Sequence, residues 1–255
     1  MTTEYTILDR ATERIAAEKQ SLQQERQAFE TFRETVSRTQ TTTGNGGTQT
    51  GSLLEAYKDT VMSTPDFEAT YDEPVSESLE AELTPSLATA LQNNEPVTQQ
   101  FKRNLLVATT TAIDSRTRYI RVLDAEHESM QTVRKTVLDI EETLQDLPAC
   151  SLRSLPFERF IDVWETCEEA VERSDQRSEQ RQHHIAERQT KNEHANVGPH
   201  ALNTYLYDAL ETQFPALHVL AETRQCIDHY RGEPTEPASH TREDNCDDSL
   251  GASLD

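Results

Sequence analysis

The sequence predicts an all-α protein: an elongated helical bundle with long, partly coiled-coil-like helices and a disordered acidic C-terminal tail. Three observations carry that prediction. Apolar residues recur every seventh position over residues 3–38 and again over residues 97–145, a spacing that lines one stripe of a helix. No stretch alternates apolar and polar residues for the length of a strand. The glycines and prolines fall between the periodic segments, with four of the seven glycines in residues 39–51.

The first helix is expected over residues 3–38. Leu8, Ile15, Leu22, Phe29 and Val36 form its stripe, and the companion positions are mixed, with Ala11 and Phe32 apolar but Glu18 and Glu25 charged. A half-polar seam predicts packing against other helices of the chain rather than a self-sufficient coiled coil. Residues 39–51, TQTTTGNGGTQTG, have the composition of a flexible linker. The next helix is expected from Ser52, where Ser52 and Glu55 have the spacing of a capping box. Leu54, Tyr57, Val61 and Met62 are its candidate buried face, and Pro65 stops it. After an acidic stretch, Leu79, Leu83 and Leu87 mark a shorter helix ended by Asn93, Asn94 and Pro96.

Neither proline nor glycine interrupts residues 97–145. Leu105, Ala112, Tyr119, Val133 and Ile140 keep one seven-residue spacing, broken only by Glu126, and Leu123, Met130, Val137 and Leu144 keep a second. A helix of this length runs roughly 70 Å, which suits a bundle with long arms. Pro148 and Pro156 bracket a loop. The helix from Phe157 carries Phe160, Trp164, Cys167 and Val171, but continuing that stripe lands on Ser174, Ser178 and Arg181. Its second half is therefore expected to project into solvent or fray. Two short helices follow, around residues 199–211 and 215–230, each with proline where a helix best tolerates it. The expected organisation is an N-terminal helix (1–38), a linker (39–51), a helical bundle (52–231) and a disordered tail (232–255).

Composition describes the solvent. The 255 residues hold 46 acidic against 24 basic side chains, a net charge of −22, with 34% hydrophobic residues. Of the basic residues 19 are arginine and five are lysine. Abundant carboxylate with scarce lysine and little aliphatic bulk predicts adaptation to high salt. The Debye length is about 3 Å at 1 M, so self-repulsion fades while the carboxylates keep the surface hydrated. An acidic, partly disordered protein of ordinary salt is the alternative. A membrane span needs about 18 consecutive apolar residues, and the longest run is Leu105 to Ala108. The polar N-terminus, MTTEYTILDR, lacks the pattern of a signal peptide. Cys150, Cys167, Cys226 and Cys246 form no CxxC pair. A cytoplasmic protein with reduced cysteines is the expectation.

Three segments resemble blocks of a known family: LEAYKDTVMSTPDFEATY at residues 54–71, LDAEHES at 123–129, and NTYLYDAL followed by FPAL within 203–217. Their order and spacing are similar to those of an uncharacterised family of haloarchaeal helical proteins, a domain of unknown function. The resemblance covers most of residues 3–230. It implies a salt-loving archaeal source and an all-α fold, and it brings no catalytic residues.

The candidate chemistry is sparse. Glu179, His183 and Glu187 stand four apart on one helix face beside His184, with His194 and His200 downstream. Such spacing can chelate a divalent metal, but a structural site needs four firm ligands, and a solvated face is the simpler reading. His183, His184 and Glu187 are kept as metal candidates, and no metal or other cofactor is expected. Asp124 and His127 imitate half of a diiron motif that requires a second copy, which the sequence lacks. Arg173, Arg177 and Arg181, extended by Arg188 and Lys191, form a basic stripe that could contact phosphates of nucleic acid. Seven acidic residues share Glu165 to Glu187, and Glu169 stands correctly to pair with Arg173 within the helix. Arg116, Arg118 and Arg121 around Tyr119 pose the same choice. Trp164, Tyr205 and Tyr207 read as core or interface anchors. Nucleophile elbows, phosphate-binding glycine loops and HExxH are absent from the sequence.

The expected function is therefore non-enzymatic: a scaffold, adaptor or regulator that binds an unidentified protein or a second copy of itself. The alternatives are a nucleic-acid-associated regulator using the Arg173 to Lys191 face, and a metal-binding protein at His183, His184 and Glu187.

Overall fold

A computed structural model describes residues 4–41, 48–65, 74–148, 154–191 and 201–232. Among them all regular structure is helical: α1 (Glu4–Arg38), α2 (Gly51–Thr60), α3 (Val75–Glu82), α4 (Pro85–Gln92), α5 (Gln99–Gln145), α6 (Phe157–Lys191), α7 (Ala201–Tyr207) and α8 (Pro215–Arg231). The long helix α5 has 47 residues. The expected tail from residue 233, and Cys150, Cys246, His194 and His200, lie outside the described residues.

The chain divides into two compact units, one of residues 13–127 and one of residues 1–12 with 128–255. Their boundaries fall within α1 and α5 rather than in the threonine-rich segment.

The unit of residues 13–127 is built on the heptad stripes of α1 and α5. Phe29, Phe32 and Val36 of α1 pack with Leu53, Tyr57 and Val61, with Leu79, Leu83, Leu87 and Leu91, and with Leu105, Ala112 and Ile113. Tyr57 is the hub. Its ring meets Phe29 and Phe32 edge-on, at centroid distances of 6.4 and 5.3 Å, and its buried hydroxyl lies 2.9 Å from Ser78 Oγ. A buried tyrosine needs such a polar partner.

The threonine-rich segment ends in an ordered clasp. Thr50 N–H donates to the Glu95 carbonyl at 2.8 Å and Val97 N–H to the Thr48 carbonyl at 2.9 Å, while the buried Thr50 hydroxyl donates to the Ala90 carbonyl at 2.8 Å. Asn94, held at φ 53°, turns its side-chain oxygen onto Gly51 N–H at 2.8 Å. A Cβ at Gly51 would lie 2.6 Å from that oxygen, so the close approach requires glycine. This corrects two expectations. The helix starts one residue earlier than Ser52, and the Ser52–Glu55 capping box does not form: Ser52 Oγ donates to the Gln49 carbonyl and Glu55 pairs with Lys58. A remote asparagine satisfies the free N–H instead. The buried face also includes Leu53, whereas Leu54 and Met62 are only partly buried.

Other helix ends are sealed locally. Thr98 Oγ1 accepts from Phe101 N–H at 3.1 Å, as an N-cap should. Gly232, at φ 73°, ends α8 in the left-handed conformation. Lys102 donates to the carbonyls of Ser37 and Thr39, both at 2.7 Å, which neutralises the exposed end of α1.

In the unit of residues 1–12 and 128–255, Ile140 and Leu144 of α5 pack with Val163, Cys167, Ala170 and Val171 of α6 and with Ile227 of α8. Burial pushes the Cys167 thiol above its ordinary range, an effect that Arg231 only partly opposes. Trp164 stacks on Phe160 at 5.9 Å and lies under the Arg231 guanidinium at 4.5 Å. Arg134 of α5 pairs with Asp9 at 2.8 Å. The second half of α6 departs from its expected exposure. The helix is continuous to Lys191, and Ser174, Arg181 and Ile185 on it are buried. Ser174 Oγ donates to the Leu220 carbonyl of α8. The apolar stripe does not end at Val171; polar side chains continue it into the helix packing.

Candidate functional sites on the long helices

The basic stripe of α6 lies against α5. Arg173 Nη2 donates to Thr143 Oγ1 at 3.4 Å, Arg177 Nε to Thr136 Oγ1 at 3.0 Å, and Arg181 Nη1 to Ser129 Oγ at 2.9 Å. As the arginines ascend α6 their hydroxyl partners descend α5, the order of two antiparallel helices. The expected Glu169 to Arg173 pairing within α6 is not made: Arg173 turns inward. Arg181 is 2% exposed. The α6 backbone reaches Arg188 and Lys191, whose side chains lie outside the described residues.

Between the two helices Thr136, Asp139, Arg173, Gln176, Arg177 and Gln180 line an open groove of about 190 Å³. Arg177 Nη1 donates to Gln180 Oε1 at 2.8 Å, which ties one wall of the groove to the guanidinium.

The histidine cluster reduces to one pair. His183 Nε2 lies 2.9 Å from Glu187 Oε1, and the two side chains are 74% and 51% exposed. His184 turns toward the protein and is half-buried, while Glu179 is exposed. No set of three potential metal ligands converges among the described residues. Asp124 pairs with Lys19 of α1.

The second basic group separates into two environments. Arg116 is lodged in the unit of residues 13–127, where Nη1 and Nη2 donate to the two oxygens of Glu82 at 2.7 and 2.6 Å and Nε donates to Glu25 at 3.0 Å. Its guanidinium sits 4.7 Å above the Phe29 ring. Burial raises the Glu25 carboxyl above its ordinary value of 4.5; Arg116 opposes the shift, and Glu82 and Glu18 add to it. Burial likewise raises the Tyr119 hydroxyl, with Glu18 adding to the effect. Arg118 and Arg121, by contrast, face solvent.

Those two arginines belong to a larger surface on α5 that spans charged and apolar residues alike. Arg103, Val107, Thr110, Asp114, Arg118 and Arg121 are all exposed, and their steps of four and three place them on one face of α5. Val107 is 63% exposed. The signal was present in the spacing, but the alternation of charge and apolar residues hid it. Tyr205 is 55% exposed and Tyr207 fully buried, so only the second is a core anchor.

These features define an all-α protein of two compact units with arginine-lined helix faces. A family model, Domain of unknown function (DUF7260), matches residues 6–231, and the chain belongs to that family. No curated protein and no solved structure matches it.

Proposed function

We propose that this is a non-enzymatic helical protein that works by binding another protein, or a second copy of itself, as a scaffold, adaptor or regulator. The observation that carries the reading is the exposed α5 face from Arg103 to Arg121. On a chain of net charge −22 it presents three arginines, one aspartate and Val107. Arg103, Arg118 and Arg121 make no ion pair among the described residues. An acidic partner helix with a small apolar residue would satisfy both its charge and its apolar patch. The groups with shifted pKa values, Glu25, Arg116, Tyr119 and Cys167, are embedded in helix packing, which favours a structural rather than a catalytic role for them. The nucleic-acid alternative has less support, because Arg181 is buried and Arg177 gives donors to Thr136 and Gln180.

The setting we infer is the cytoplasm of a salt-adapted, haloarchaeal cell. It rests on the charge, the scarcity of lysine and the resemblance of three segments to haloarchaeal sequences. The test of the binding reading is sedimentation velocity in concentrated KCl, paired with co-purification from the native host. Wild-type protein should self-associate or retain a defined partner, and V107E with R118E should weaken that association at least tenfold. A wild-type monomer that retains nothing, or a double variant that binds equally well, contradicts the reading.

A further inference from the structure

We propose that the groove between α5 and α6 is a binding site for a small tetrahedral oxyanion of phosphate size, held by Arg173 and Arg177. The site is independent of the α5 face invoked above. A guanidinium carries five N–H donors and no acceptor, and these two use few of theirs. Arg173 makes one bond, to Thr143 Oγ1 at 3.4 Å, and its buried Nε has no hydrogen-bond partner. Arg177 spends Nε on Thr136 and Nη1 on Gln180, leaving Nη2 for a ligand. All three acceptors are neutral oxygens, so two positive charges four residues apart stand side by side without a carboxylate bonded to either. Asp139 also lines the groove, but it is exposed and forms an ion pair with neither arginine among the described residues.

Like charges at this helical spacing repel, and an anion entering between the two guanidinium groups would relieve that repulsion. Guanidinium forks match the oxygens of phosphate in direction as well as in charge. The Gln180 oxygen already accepts from Arg177, which leaves its amide N–H groups as further donors, and Gln176 supplies another amide at the wall. Pockets for drug-sized ligands enclose about 300–1,000 Å³, whereas the space between these walls is about 190 Å³, ample for a single oxyanion.

Inorganic phosphate is the probe. Titrated into the full chain at constant ionic strength against KCl, it should bind saturably at one site by calorimetry and raise the melting temperature. Arg173→Gln and Arg177→Gln should each weaken binding at least tenfold while keeping the helical circular dichroism. Absence of saturable binding, or equal binding by both variants, overturns the proposal. Should the arginine variants unfold, Asp139→Asn decides. Removing that charge should tighten phosphate binding severalfold at low salt, and an unchanged affinity overturns the site.

Discussion

Arg116 and Arg177 are both guanidinium groups lodged between helices, one in each compact unit, and their partners differ in kind. Arg116 is clamped by two carboxylates and rests on an aromatic face. Arg177 is held by a threonine hydroxyl and a glutamine oxygen. A carboxylate clamp compensates the charge, so removal of the arginine leaves two acidic groups desolvated and facing each other. Neutral acceptors only orient the group, so its removal strands no charge. The same residue type is thus a structural keystone in one unit and a poised cation in the other.

The largest expected effect comes from the ring beneath the clamp. Phe29→Ala removes a fully buried side chain that also supports Tyr57 and Arg116, and should cost about 4 kcal/mol in urea unfolding. Arg116→Gln should cost about 3 kcal/mol, because breaking a buried pair leaves its partners uncompensated. A loss for Arg116→Gln no greater than for a surface substitution would break the comparison at its stronger end.

The clamp also predicts a pH dependence. The Glu25 carboxyl is raised above 4.5 in the folded protein, so the folded state holds that proton more tightly than the unfolded chain does. Its contribution to stability is fully present below the unfolded value and is lost as pH rises through the folded value. Glu25→Gln should flatten this loss in unfolding curves recorded from pH 4.5 upward. A steeper loss in the variant contradicts the assignment.

A smaller effect belongs to the clasp at the start of α2. Asn94→Ala removes the acceptor of Gly51 N–H and places alanine at positive φ, and should cost about 1 kcal/mol. Thermal unfolding of Asn94→Gly, which relieves the backbone strain and still lacks the cap, separates the two contributions.

The helices were legible in the sequence because their stripes are long. Leu8, Ile15, Phe29 and Val36, and Leu123, Met130, Val137 and Leu144, are buried as their seven-residue spacing predicts, whereas Leu22 on the first stripe is only partly buried. What the spacing did not convey is that polar residues on those stripes are buried as well. Arg116 and Thr109 extend the Leu123 series backwards by seven and fourteen residues, and Thr109 is fully buried. Glu126, which interrupts the other series, is fully buried too. Ser174 and Arg181 continue the stripe of α6 in the same way. Hydrophobic periodicity weighs side chains by polarity, whereas the packing of a helix fixes position first and lets a buried polar group find its partner afterwards.

The sites were harder to read because their partners are remote in sequence. Arg173 stands four residues from Glu169 and binds Thr143 instead, thirty positions away. Asn94 caps a helix that begins 43 residues earlier. In both places the local rule offered a plausible partner, and tertiary packing supplied a different one.

The contrast between the carboxylate clamp at Arg116 and the neutral acceptors at Arg177 is tested most directly by urea unfolding of Arg116→Gln and Arg177→Gln side by side, in the same buffer and without added phosphate. The account predicts that Arg177→Gln stays within about 1 kcal/mol of wild type, the loss of hydrogen bonds to neutral acceptors, while Arg116→Gln loses about three times as much. Equal losses, or a larger one at Arg177, would contradict it.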